Sequence, residues 1–331
     1  MKIFEADVAA NAFLLGEHSV VYGYPALVTS VDMRTKCSLH GREDDRVIVN
    51  SADYGTINQR IREITSRGYG VEDLKKDEMN LTRLLIKTVE EEFGLPSGFN
   101  MEVDTQIPKT CKGLSRSGSI LCSAFNVLTS FCGVPVNKED YFKYLLPLQE
   151  VMHGGKASGV ELHSHVYGGV HKVKKDGTRE KIANPGFDIV IGDTGVESKT
   201  SETVEYVRRG WERDEVSFER VFQKIGNIVE KGVITLKSSD AKKLGKLMNG
   251  DHEILARGLG VSHPKLNELV DVSREAGALG AKLTGGGRGG AMIALVDELH
   301  KEIVANAIRR VGGKPYITKM GTQGLLERVI E

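Results

Sequence analysis

The spacing of hydrophobic positions changes along the chain. In residues 1–60, short runs rich in β-branched residues are interrupted by Gly23, Pro25 and charged turns, which predicts strands. Residues 79–94 carry apolar side chains three and four positions apart and end at a glycine, so they predict a helix. Residues 100–107 alternate between apolar and polar side chains and predict another strand.

Beyond residue 107, helical windows alternate with strands. A loop at 108–119 leads into an apolar helix, and residues 138–152 are helical again. Helices are then predicted at 201–232, 239–256, 264–275 and 298–311, and strands at 186–193, 292–296 and 314–319. This pattern favours an α+β fold with an antiparallel sheet. We expect two domains, 1–184 and 185–331, because domains average roughly 150 residues.

Composition restricts the classes of function. The 331 residues are 40% hydrophobic and 27% charged, with 45 basic and 45 acidic side chains. This balance excludes a global attraction to nucleic acid or to an anionic membrane, so any anion site is local. The four cysteines show no metal-ligand spacing, and no apolar run reaches the ~20 residues of a membrane span. We expect a soluble, cytoplasmic protein.

The strongest chemical signal is a glycine cluster before a predicted strand. Residues 285–290 contain five glycines in six positions. Because each glycine costs backbone entropy on folding, so dense a cluster favours close approach of the backbone to a ligand. Converging N–H groups bind phosphate well, whereas a tight turn would need only two glycines. The spacing matches neither a P-loop nor a dinucleotide fingerprint.

Three further segments carry candidate chemistry. Residues 108–119 place hydroxyls, glycines and the cations Lys112 and Arg116 at the start of a helix, which is typical of a triphosphate site or of a simple helix cap. Glu161 follows the glycine-rich turn at Gly154 and Gly155 and could hold Mg²⁺ or accept a proton. Residues 16–23 contain an acid and a histidine beside a strand end, a placement that is more often structural than catalytic.

In this order the segments resemble the GHMP kinases, and the mevalonate kinase branch of that family most. The chain has GLSRSGS where the family has GLGSS, and ASGVE followed by YGG where it has PSGVD followed by GG. It has KLTGGGRGG where the family has KLTGAGGGG, and it shares LLGEHSVVYG near the N-terminus. The resemblance implies an N-terminal domain of the ribosomal-protein type, a C-terminal ferredoxin-like domain and an ATP-Mg²⁺ site between them.

The resemblance also implies roles for individual residues. Glu161 would be the catalytic carboxylate, and Ser117 and Glu150 would bind Mg²⁺. The residues expected at the ATP phosphates are Lys112, Gly113, Ser115, Arg116, Ser117, Gly118, Ser119, Gly285, Gly286 and Gly287. The residues expected at the acid substrate are Glu17, His18, Lys156, Ser158 and Thr194.

The chain departs from the family pattern at three places. Glu161 stands where the family has Asp, Asn11 stands where it has Lys, and the phosphate loop gains Lys112 and Arg116. Additional donors suit an additional phosphate on the acceptor, and arginine suits phosphate especially. The departures therefore favour phosphorylation of the 5-hydroxyl of mevalonate 3-phosphate.

Three alternatives stay open beside this hypothesis. The first is a mevalonate 5-kinase, which the N-terminal match favours. The second is a decarboxylase-type GHMP protein, and the third is a non-catalytic ligand sensor, motivated by the altered loop and the lost lysine. The expected partner is a small-molecule acid rather than nucleic acid or membrane, and a homodimer is left open.

Overall fold

The computed structural model describes residues 2–52, 54–152 and 157–331. The strands are β1 (Ile3–Leu15), β2 (Ala26–Gly41), β3 (Arg46–Ser51), β4 (Gly55–Arg60), β5 (Phe99–Thr105), β6 (Val170–Val173), β7 (Arg179–Ile182), β8 (Asp188–Asp193), β9 (Gly280–Leu283), β10 (Ala291–Val296), β11 (Lys314–Lys319) and β12 (Leu326–Ile330). The helices are α1 (Ile61–Thr65), α2 (Val71–Lys76), α3 (Met79–Phe93), α4 (Arg116–Phe131), α5 (Tyr141–Met152), α6 (Val160–Tyr167), α7 (Thr200–Arg213), α8 (Glu215–Lys237), α9 (Ala241–Glu253), α10 (Pro264–Glu275) and α11 (Lys301–Arg310).

The strands form two sheets. The first has the order β12-β1-β2-β5-β3-β4, and β6 and β7 extend it from β2. Within it β3 runs parallel to β5, whereas β1 runs antiparallel to both of its neighbours. The second sheet has the order β11-β8-β10-β9 and is antiparallel. The chain thus has the mixed α+β arrangement that its hydrophobic pattern predicts.

Each sheet packs against helices through apolar side chains at helical spacing. One core lies between the first sheet and α3 to α6, where α4 is buried along nearly its whole length. A second core joins the opposite face of β1 and β2 to α8, α9, β8 and β10. A third lies under α10 and α11, and α11 contributes Val304, Ala305 and Ile308 from its buried face. The middle core holds the two halves of the chain together.

Two differences from the pattern-based expectation bear on how the two halves of the chain are joined. The single helix expected at 201–232 is divided, because Asp214 leaves helical geometry and its side chain accepts a hydrogen bond from Ser217 N at the start of α8. The short strand β12 was not expected, and it returns from the C-terminus to pair with β1. A boundary between residues 184 and 185 therefore separates the strands of the two sheets, except that β12 returns to the first sheet. The domain limits remain a prediction.

Among the described residues, no helix combines the length and the apolar character that a membrane crossing requires.

Backbone contact between α9 and β9 makes a local prediction. A Cβ added at Gly245 would lie 2.1 Å from the carbonyl oxygen of Leu279, whereas one added at Gly250 would meet no atom nearer than 3.9 Å. We expect Gly245→Ala to destabilise the protein by ~1–3 kcal/mol through overpacking. Gly250→Ala, in the same helix, should instead be neutral or stabilise it by up to ~1 kcal/mol.

Urea unfolding monitored by circular dichroism measures both changes. Equal effects of the two substitutions would contradict the close packing of α9 on β9.

Candidate active site

The free edge of β1 brings distant loops together. β12 pairs only with residues 3–7 of β1, so the backbone beyond them needs other partners. Asn11 N donates to the carbonyl of Leu114 at 3.2 Å. Phe13 N donates to Thr284 Oγ1 at 2.9 Å, and that hydroxyl donates to the Phe13 carbonyl at 3.3 Å. The phosphate loop at 108–119 and the glycine loop at 284–290 therefore lie side by side on one strand.

These two loops touch through their glycines. Gly113 has a φ of 105°, and a Cβ there would lie 2.3 Å from the Thr284 carbonyl oxygen. A Cβ at Gly285 would lie 2.4 Å from the Gly113 Cα. Ala291 N also donates to the Lys112 carbonyl at 2.8 Å. Only glycine permits this approach, which brings the backbones of the two loops into direct contact.

The start of α4 is held by a histidine from α6. Burial lowers the pKa of His165 to about 4, so its ring is neutral near pH 7. Its Nδ1 lies 2.7 Å from the Ala9 carbonyl and must donate there, which leaves Nε2 to accept from Ser115 Oγ at 3.0 Å. A Cβ at Gly118 would lie 2.8 Å from that Nε2. The contact fixes α6 beside the phosphate loop.

Glu161 lies in the first turn of this same helix. It is half-buried, and burial raises the pKa of its carboxyl, so it holds a proton more readily than an exposed glutamate. It precedes His165 by one helical turn, which places both residues on one side of α6. The role of His165 was not predicted from the sequence, although its spacing of four residues from Glu161 indicates that both lie on one side of a helix.

The proposed metal ligands come from two helices. Ser117 is half-buried in the first turn of α4, and Glu150 is half-buried near the end of α5. No hydrogen bond or ion pair joins these two residues in the described part of the chain. Nor do the described residues contain a group of three or more His, Cys, Asp or Glu placed to hold a metal ion. Ser158 is half-buried just before α6, and Lys156 lies outside the described residues.

Glu17 is part of a buried charge cluster rather than a free substrate ligand. Its carboxylate accepts a hydrogen bond from Lys282 Nζ, which also donates to the Leu283 carbonyl at 2.7 Å. Asp251 lies 3.4 Å from the same Nζ, and the three side chains have at most 1% exposure. A contact of Glu17 with the acid substrate therefore stays a prediction. Glu17, two residues after β1, links the end of that strand to α9 and β9.

His18 and Thr194 both support the glycine loop. His18 has a φ of 62°, and its Nε2 donates to the Gly286 carbonyl at 3.0 Å. Burial lowers the pKa of His18 to about 4, so the ring is a neutral donor near pH 7. Thr194 Oγ1 donates to the Gly290 carbonyl at 2.7 Å. His18 and Thr194, which were predicted at the acid substrate, thus lie at the glycine loop. The hydroxyl proton of Thr194 is already donated to Gly290.

Two residues predicted at the phosphates point elsewhere. Ser119 N donates to the Ser115 carbonyl, and its hydroxyl bonds the Arg116 carbonyl and Thr35 inside the core. The buried guanidinium of Arg116 donates to the Ile107 carbonyl at 2.7 Å and lies 4.9 Å from the Tyr54 ring centroid. Both side chains thus bond inside the protein, which counts against their predicted contact with ATP.

Comparisons with known proteins agree with this geometry. Residues 80–169 match the family described as GHMP kinases N terminal domain, and residues 233–314 match GHMP kinases C terminal. A mevalonate kinase from Thermococcus sibiricus is 33% identical, with 98% of this chain and 99% of that protein aligned. One from Pyrococcus abyssi is 34% identical, with 100% of this chain and 99% of that protein aligned. The chain belongs to the GHMP kinase family.

A solved structure extends the agreement to the whole fold. The mevalonate kinase of Methanococcus jannaschii superposes with a TM-score of 0.83 over 96% of this chain and 98% of that one, at 23% identity. The predicted GHMP kinase fold is confirmed, and so is the prediction of a small-molecule kinase that uses ATP. As a GHMP kinase, the chain resembles mevalonate kinases along its full length.

The buried cluster predicts how stability depends on pH. Burial raises the pKa of Glu17 to about 8 from 4.5, despite the opposing charge of Lys282, and the nearby Asp251 adds to the rise. A carboxyl whose pKa is higher in the folded state binds its proton more tightly there. Its contribution to stability is therefore complete below about pH 4.5 and is lost as the pH rises through about 8.

We expect the free energy of unfolding to fall between about pH 5 and 8, by on the order of 1–4 kcal/mol from this group. Glu17→Gln should flatten this dependence because the amide does not titrate. Glu230→Gln, which alters an exposed partner of Lys172, should leave it unchanged. Urea titrations at four pH values measure it, and an unaltered slope in Glu17→Gln would contradict the assignment.

Proposed function

We propose that this protein transfers the γ-phosphoryl group of ATP to the 5-hydroxyl of mevalonate. The observation that carries the proposal is the meeting of Gly113 and Gly285 on the edge of β1, with α6 fixed beside them through His165. This arrangement supports the proposal, because phosphoryl transfer relies on preorganised donors for the phosphoryl oxygens and on a group that orients the attacking hydroxyl. The full-length relatives, named mevalonate kinases, support mevalonate as the acceptor.

The chemistry follows from the residues in place. The acceptor hydroxyl oxygen attacks the γ-phosphorus in line, the bond from that phosphorus to the β,γ-bridging oxygen breaks, and ADP leaves. Glu161 accepts or orients the hydroxyl proton, and its raised pKa favours proton uptake. The amides of the two loops stabilise charge on the transferred group.

Mg²⁺ is part of the proposal because the donor set suits it. Ser117 and Glu150 offer the hard oxygen atoms that Mg²⁺ prefers, and this ion commonly uses one or two carboxylates plus phosphate oxygens. When bound, it would neutralise phosphate charge. The half-buried positions of both residues at the ends of α4 and α5 support this role.

Mevalonate 3-phosphate is less well supported as the acceptor. That hypothesis relied on additional cationic donors, but Arg116 is occupied with Ile107 and Tyr54. Of the two cations added to the loop, Lys112 alone stays a candidate phosphate contact. The relatives bear the name of the alternative, mevalonate kinase, and so favour it.

A panel of acceptors tests the proposal. ADP release should be measured with ATP-Mg²⁺ and mevalonate, its 3-phosphate or its 5-phosphate. We expect the highest kcat/KM with mevalonate and no release of CO₂. A higher kcat/KM with the 3-phosphate would instead favour mevalonate 3-phosphate as the acceptor. CO₂ release would indicate a decarboxylase, and ATP binding without turnover of any acid would indicate a sensor.

The carboxylate makes a second prediction. Glu161→Gln should lower kcat by ~10² or more, the usual contribution of a positioned base, while leaving ATP affinity unchanged. Glu230→Gln removes an exposed carboxylate with no role in the site and serves as the matched control. Steady-state kinetics and nucleotide titration separate the two effects. Full turnover in Glu161→Gln would show that this carboxylate is structural.

A further inference from the structure

Asn11 lies where the proposed reacting groups meet. Its backbone N–H donates to Leu114 in the phosphate loop. Phe13, two residues on along β1, shares its face of the strand and packs against the apolar cluster that contains Val160, the first residue of α6. The carbonyl of Ala9, two residues back, bonds His165 further along that helix. Asn11 therefore lies opposite the part of α6 that contains Glu161.

The side chain of Asn11 is buried without a partner. The residue is 1% exposed, and neither Nδ2 nor Oδ1 has a hydrogen-bond partner among the described residues. A buried amide normally bonds with the protein, because leaving its polar atoms unsatisfied is unfavourable. Asparagine matches leucine closely in size, so apolar packing at this position would have been available. An amide kept here at a cost in stability points to a ligand.

We propose that the side chain of Asn11 is a direct contact of the transferred phosphoryl group. Nδ2 donates a hydrogen bond to a γ-phosphoryl oxygen, between the loop at Leu114 and the carboxylate of Glu161. The inference rests on the proposed kinase function. It assigns the position a neutral donor, which orients the phosphoryl group without adding a charge beside Glu161.

A donor aimed at the transferred group acts mainly on turnover. Removing one such donor from a preorganised site lowers kcat by roughly 10²-fold. It changes the KM for the acceptor little, because the acceptor itself keeps its contacts. It also weakens binding of a nucleotide with a γ-phosphate more than binding of ADP.

The experiment compares two leucine substitutions of buried asparagines. Asn126 is 4% exposed, and its Nδ2 donates to Tyr141 and Glu327 at 2.9 Å each. Asn11→Leu should raise the melting temperature of the ligand-free protein by ~2 °C or more, since it removes an unsatisfied amide. It should lower kcat by ~10²-fold. Asn126→Leu should lower the melting temperature and leave kcat per folded molecule unchanged.

Nucleotide binding tests the role of Asn11 independently of which acid is the acceptor. The shift in melting temperature should be recorded with ADP and with a non-hydrolysable ATP analogue. In the unsubstituted protein the analogue should give the larger shift, and Asn11→Leu should abolish the difference. Asn11→Ala carries the same test if the leucine variant folds poorly.

Two results would overturn the inference. One is unchanged kcat and an unchanged analogue-specific shift in Asn11→Leu. The other is a loss of stability in Asn11→Leu as large as that in Asn126→Leu, which would make the amide structural. Absence of turnover with every acid by the unsubstituted protein would instead refute the proposed function, and the nucleotide shifts would still report on Asn11.

Discussion

The site depends on hydrogen bonding along the part of β1 that β12 leaves uncovered. Buried backbone groups must find partners, and here they find them in loops from both halves of the chain. Leu114 and Thr284 are far apart in sequence, yet both form hydrogen bonds with the same short stretch of β1. The strand edge thus holds the two loops side by side. The glycines at their contact are required because any side chain would separate them.

Buried electrostatics reinforce this arrangement from behind. Lys282 is fully buried, and its ammonium lies between the carboxylates of Glu17 and Asp251. One cation with two carboxylates is neutral only if a proton is retained, in agreement with the raised pKa values of Glu17 and Asp251. Such buried charges have little freedom to move, because separating one from its partners would leave an uncompensated charge in an apolar interior. The cluster therefore fixes the approach of β1 to the glycine loop.

The sequence predicts elements and loops better than it predicts side-chain directions. Regular spacing was sufficient for α3, α10 and β11, where local pattern and packing agree. Glycine density correctly marked the loop at 285–290, because backbone approach leaves a compositional trace. The internal contacts of Arg116 and Ser119 were not predicted, since position in a loop does not show whether a side chain turns outward or into the core. His165 and Lys282 were missed for the related reason that their partners are distant in sequence.

We propose that both loops hold one nucleotide triphosphate at once. Hydrogen–deuterium exchange tests it most directly, by comparing amide protection with and without a non-hydrolysable ATP analogue and Mg²⁺. We expect slower exchange in both 109–121 and 282–292, to a similar degree and at the same analogue concentration. Protection of only one of these segments, or of neither, would show that the two loops do not hold the nucleotide together.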